Sequence, residues 1–156
     1  MQLANIKVLV ISISNPIQIG IYENDILIKT IVKEGKTSDV LPLIFEKILL
    51  KYNINDILYV NGPGSYMAIK IAYIFLKTIS IINQINLYAV SGFDFNENTP
   101  IKALGKKYFF RDLNDNNKVI IDFLGDNVIS DFKLPNSISD IPYSTEILPE
   151  YNLPAV

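Results

Sequence analysis

The chain has 156 residues, enough for one domain or for one domain with a small appended lobe. Hydrophobic residues make up 49% and charged residues 19%, ample material for a packed core, while a net charge of −2 and a pI near 5.1 argue against a surface that grips phosphate backbones. There is no cysteine and no histidine, which removes disulfides, thiol nucleophiles, Cys/His zinc sites and every His-dependent triad.

Along the chain, Lys7 to Ser14 is rich in Val and Ile and predicts a buried strand; its apolar run passes into Ser12 and Ser14 and does not read as a signal peptide. Ile17 to Tyr22 alternates, Glu23-Asn24-Asp25 signals a turn, and Ile26 to Val32 predicts a third strand, so that the first three form an antiparallel meander. Thr37-Ser38-Asp39 predicts a helix start, with Pro42 within the first turn and an end near Tyr52. Asp56 to Asn61 predicts a short strand, Gly62-Pro63-Gly64 a turn, Ser65 the cap of a second helix reaching Ile82, and Asn86 to Ser91 another strand. The second helix is the longest apolar stretch, but Lys70 and Lys77 interrupt it; it reads as a helix buried on more than one side in a soluble, cytoplasmic protein, not as a membrane span.

The order β-β-β-α-β-α-β is the core of the ribonuclease-H-like and actin-like α/β folds, and right-handed crossovers would add the last two strands in parallel. After Gly92 the composition turns polar, so residues 1–93 are expected to form a first lobe and residues 94–156 a reduced second lobe. There, Lys106 to Leu113, Lys118 to Leu124 and Val128 to Lys133 predict a three-stranded meander, and the stretch from Pro135, with Pro142, Pro149 and Pro154, an extended tail over the surface.

Chemistry-bearing constellations are few. The turn Gly62-Pro63-Gly64-Ser65 before a helix could cradle an anion, though a tight turn with a serine cap and no ligand explains it as well. Ser12-Ile13-Ser14 ends the first strand where actin-like ATPases and ribonuclease-H-like nucleases carry a metal-binding carboxylate; hydroxyls alone do not offset a dication. No catalytic residue, metal site or cofactor is expected. The helices say more. Leu41, Ile44, Phe45, Ile48, Leu49 and Tyr52 share one face of the first, and Ile69, Ile71, Ala72, Phe75, Leu76 and Ile79 a broad face of the second. Leu43 and Leu50, and separately Met67, Ile74 and Ile81, repeat every seven residues as a second apolar stripe on each helix. Packing of the two helices on each other would use part of this surface and leave the rest for a partner.

Gly62-Pro63-Gly64-Ser65-Tyr66, closing a strand and opening an apolar helix, resembles the Gly-Pro-Gly-Ser-Phe-Thr-Gly-Leu-Arg signature of the TsaB (YeaZ) family, with Met67-Ala68-Ile69-Lys70 standing for Thr-Gly-Leu-Arg. Thr37-Ser38-Asp39 with Leu41-Pro42-Leu43-Ile44 resembles that family's His-Ser-Glu and Leu-Leu-Pro-Leu-Ile. Val8 to Ser14 resembles its Ile-Leu-Ala-Ile-Asp-Thr-Ser strand, Leu87 to Phe93 its Pro-Leu-Val-Gly-Val-Ser-Ser-Leu segment, and Pro149-Glu150-Tyr151 faintly its closing Tyr-Leu-Arg. The similarity covers about residues 7 to 95; Ser12, Thr37 and Lys70 depart from the family's Asp, His and Arg. It implies an actin-like fold with a shortened second lobe and no catalysis of its own. It implies a TsaD-like catalytic subunit and a TsaE-like ATPase as partners in threonylcarbamoylation of tRNA adenosine, and a homodimer when alone; the acidic pI points to no strong tRNA binding, and Lys70 and Lys77 to no membrane association. Pairing in that family uses the two first-lobe helices. The expected partner surface is therefore Leu43, Leu50, Tyr66, Met67, Lys70, Tyr73, Ile74, Lys77 and Ile81. The alternatives are a small phosphotransferase or ATPase of the same fold, or a degenerate structural paralogue.

Overall fold

The computed structural model describes residues 3–152. Five strands form one sheet: β1 (Ile6–Ile11), β2 (Ile17–Glu23), β3 (Ile26–Lys33), β4 (Asp56–Gly62) and β5 (Asn86–Ser91), in the order β3-β2-β1-β4-β5. The β1–β2 and β2–β3 pairs are antiparallel; β4 and β5 join in parallel, as two helical crossovers require. The central strand β1 and its neighbour β4 are buried on both faces, which is why they read as continuous apolar runs.

Helices α1 (Thr37–Lys51) and α2 (Tyr66–Asn83) cover one face. Val8, Val10, Ile19, Ile57 and Tyr59 rise from the strands to meet Leu41, Phe45, Ile48, Ala72 and Leu76. Ser65 caps α2, its hydroxyl accepting from the Ala68 amide, and Gln84 ends it in the left-handed conformation. The predicted place of Pro42 is corrected. Because Lys36 is the N-cap, Pro42 falls in the second turn, where its missing N–H would have bonded the Ser38 carbonyl; it is exposed there. The expectation that α2 is buried on more than one side is also corrected. Only Ile69, Ala72, Leu76 and Ser80 are fully buried along it, because the sheet lies on one side alone.

Among the described residues no α-helix packs on the opposite face of the sheet. Leu9, Ile11, Tyr22, Leu58, Val60 and Val90 are covered there by Phe95 and by the last part of the chain, through Phe132, Leu134, Ile138 and Ile141. This segment is a strap. It bridges edge strand β3 at Ile26–Ser137, with the Leu27 amide donating to the Asn136 carbonyl at 2.9 Å. It then bridges the other edge strand, where Ala89 and Ser144 exchange two 2.9 Å hydrogen bonds. The predicted tail is thus extended, but it completes a core as well as lying over a surface; Pro154 lies outside the described residues.

A small antiparallel sheet, β6 (Ile101–Lys102), β7 (Lys107–Asp112) and β8 (Lys118–Phe123), packs through Phe93, Ile101 and Phe109. The predicted strand at Val128 to Lys133 is not formed. Its backbone is committed elsewhere: the Ser130 amide donates to Thr99 Oγ1 and the Lys133 amide to the Phe95 carbonyl, while Phe132 packs against two hydrophobic clusters. The third place in the meander goes to β6.

Candidate docking surface

The two helices lie side by side, locked by Phe45 and Phe75 in an edge-to-face pair with centroids 5.7 Å apart. Phe75 and Ile71, both half-buried, and the exposed Ile74 at its rim line a groove of about 330 Å³ between the helices, opposite Pro42 and Ser38. On either side of this groove the crowns of the helices face outward. Leu50 is 88% exposed, Ile81 66%, Leu43 62%, Met67 58% and Ile74 54%, with Ile82 beside them. The helix–helix contact therefore does not consume the seven-residue stripes. They stay uncovered because residues that point to the sheet recur every three or four positions, and these fall between them.

The remaining predicted interface residues divide. Lys70 is exposed, its ammonium 5.8 Å from the Tyr66 ring centre, and Lys77 is half-buried. Tyr66 is half-exposed and stacks on Tyr151 of the strap, with centroids 4.3 Å apart. Burial, followed by the neighbouring Tyr66 phenol, raises the Tyr151 phenol. Tyr73 is half-buried and leans on Tyr59 at 6.3 Å, so it belongs as much to the core as to the surface.

At the Gly62 end of the turn Gly62-Pro63-Gly64-Ser65 the last part of the chain packs closely. The Glu150 amide donates to the Asn61 carbonyl at 2.8 Å, Asn61 Nδ2 donates to the Leu148 carbonyl at 2.9 Å, and the Tyr59 hydroxyl donates to the Ile147 carbonyl. The Glu150 carbonyl lies where a Cβ on Gly62 would stand, and Gly62 has φ +150°. Gly64 packs its bare Cα against Ile13. Close backbone approach accounts for both glycines. Ser12, buried at the end of β1, lines a cleft with Ser14, Asn15, Lys36, Thr37, Ser38 and Ser65, a polar set without a carboxylate. Among the described residues no cluster of three or more Asp or Glu could hold a metal ion.

One half-buried group was missed by sequence reasoning. Arg111 on β7 pairs with Asp94 at 3.0 Å, donates to Asn98 Oδ1 at 2.7 Å and lies over the Phe93 ring. It ties the small sheet to the turn after β5. A lone arginine in an alternating strand carries no signal of this.

YeaZ from Pseudomonas aeruginosa superposes with a TM-score of 0.59 at 11% identity, over 81% of this chain and 66% of that one. The chain has the fold of YeaZ. A second structure, described as an uncharacterized protein with similarity to peptidase YEAZ from Pseudomonas aeruginosa, gives a TM-score of 0.55 at 11% identity over 87% of this chain and 72% of that one. This chain therefore spans about two thirds of the length of the YeaZ structure. No protein-family model matches the sequence, and no curated protein matches it. The mixed five-stranded sheet with two helices in this chain is consistent with a YeaZ-like fold.

Proposed function

We propose that this chain is a non-catalytic, cytoplasmic partner subunit that supports a TsaD-like enzyme in threonylcarbamoylation of tRNA adenosine next to the anticodon. The observation that carries the reading is the pair of uncovered apolar stripes on α1 and α2 of a YeaZ-like fold. Clustered exposed aliphatic side chains of this kind mark protein–protein contact surfaces. Leu43, Leu50, Met67, Ile74 and Ile81 form the contact, with Tyr66, Lys70 and Lys77 at its rim. The order β3-β2-β1-β4-β5 supports the actin-like assignment within this reading. The cleft at Ser12 has hydroxyls, Asn15 and Lys36 in its lining but no carboxylate to hold a dication, which supports a role in assembly over metal-dependent phosphate chemistry. A TsaE-like ATPase would join the same complex, and a second copy of the chain would occupy the helical face when the catalytic subunit is absent. The test is co-purification with the TsaD-like protein of the same genome, followed by rescue of tRNA modification in a TsaB-depleted strain. Binding without rescue would point to a structural paralogue, and failure of both would overturn the reading.

A further inference from the structure

Between edge strand β3 and helix α1 runs a groove of about 600 Å³, within the size range of small-molecule sites. The strand register puts Lys29, Ile31 and Lys33 on the helix side of β3, opposite Ile21, Ile19 and Ile17, which are buried in the core beneath the helices. From the helix, Val40, Ile44 and Ile48, spaced by four, supply an apolar floor. Lys47 and Lys51, also spaced by four, stand on the same wall and are exposed.

Four ammonium groups thus line one apolar trough. The ion pairs among the described residues are Lys7–Asp25 and Arg111–Asp94, and none of the four lysines takes part in one. Lysines on an edge strand discourage strand pairing, which accounts for Lys29 and Lys33. That does not account for Lys47 and Lys51 on the opposite wall, a like-charge pair at the i,i+4 spacing that destabilises a helix. The carboxylates lining the groove, Glu34 and Asp39, flank Gly35 where β3 passes into α1. An anionic group is repelled at that end and attracted at the other.

We propose that this groove binds an aliphatic anion: a hydrocarbon chain along Ile31, Val40 and Ile44, ending in a carboxylate or phosphate monoester held by Lys29, Lys47 and Lys51. A nucleotide is disfavoured. Tyr52 is the one aromatic residue of the lining, and the Lys51 ammonium, 5.5 Å from its ring centre, competes with a base for one of its faces.

The test is calorimetry on the full chain with dodecanoate below its critical micelle concentration. One saturable site per chain is expected, with inorganic phosphate alone binding at least a hundredfold more weakly and dodecyltrimethylammonium not binding. The double variant Lys29→Glu/Lys47→Glu should weaken dodecanoate at least tenfold and leave the melting temperature in place, since both side chains are exposed. Dodecyl phosphate, compared with dodecanoate, identifies the preferred head group, and saturable binding of either supports the site. Ile74→Glu, on the docking crown, should not change the affinity. The proposal is overturned if no acyl anion binds saturably, if charge reversal leaves binding unchanged, if the cation binds equally, or if Ile74→Glu abolishes binding. A dimer that Lys29→Glu/Lys47→Glu dissociates and dodecanoate does not perturb would also overturn it, by assigning the groove to a second copy.

Discussion

Ile74 and Leu76 stand two residues apart on α2 with opposite surroundings: the first is 54% exposed on the crown, the second fully buried over the sheet. Burying an aliphatic side chain contributes ~1.5–3 kcal/mol, so a charge at the centre of the crown should cost a partner at least that much. Ile74→Glu is therefore expected to weaken association with the TsaD-like subunit or a second copy by roughly tenfold or more while melting normally. Leu76→Glu buries an unpaired carboxylate and should abolish the cooperative melt. Phe75, which sequence periodicity grouped with the sheet-facing residues, lies half-buried in the interhelix groove, so Phe75→Glu should fall between the two. If Ile74→Glu melts as badly as Leu76→Glu, the crown is core and the docking assignment fails. A second residue-scale prediction concerns pH. Burial raises the phenols of Tyr22 and Tyr59 well above their ordinary value near 10. The unfolded chain then releases these protons first, so it binds fewer than the folded chain as pH climbs past about 10. Stability from both groups is complete below that pH and is lost above it. The Tyr22→Phe/Tyr59→Phe variant should be weaker at neutral pH by about 1 kcal/mol for each lost hydroxyl-to-carbonyl bond, to Pro135 and Ile147. Its denaturant midpoint should fall less steeply than the parent's between about pH 9 and 11. Parallel curves would show that other groups govern the alkaline loss.

At the scale of elements, the strap and α1 make separable predictions. A chain ending at residue 125 lacks Phe132, Leu134, Ile138 and Ile141 and so uncovers Leu9, Ile11, Tyr22, Leu58 and Val60. It is expected to lose its sharp thermal transition and to bind a hydrophobic dye; a cooperative melt near the parent temperature would show that the sheet needs no cover on that face. In α1, Pro42 interrupts the backbone ladder in the second turn, where an interior proline costs up to ~3 kcal/mol relative to alanine. Since Pro42 is exposed, Pro42→Ala should stabilise the fold, raising the denaturant midpoint at unchanged slope. A lower midpoint would mean that the proline's contact with the interhelix groove outweighs its missing hydrogen bond.

For the whole molecule, a net charge of −2 and a sequence without a Lys/Arg run lead to weak tRNA binding by the chain alone, the four lysines of the β3–α1 groove being too few to offset that charge. Filter binding or anisotropy at physiological salt should find no submicromolar affinity, and a tight, salt-sensitive complex would overturn this reading of the surface. The same scale separates what was legible in the sequence from what was not. The two helices, the five main strands, the serine cap and the crown residues could all be read directly, because each is set by a local period or turn and the relevant neighbours lie within seven positions. Seven-residue spacing by itself places Leu43, Leu50, Met67, Ile74 and Ile81 outside the sheet-facing stripe, and all five are exposed. Other features depend on partners far along the chain. Val128 to Lys133 has the composition of a strand, yet Phe95 and Thr99 take its backbone groups. The strap owes its place to contacts such as Tyr22 with Pro135 and Gln18 with Phe132, more than a hundred residues apart. The β3–α1 groove exists because an edge strand and a helix bring their lysines to opposite walls. Local preference determined the elements; closing long loops around a two-faced sheet decided which apolar residues would be covered and which left open.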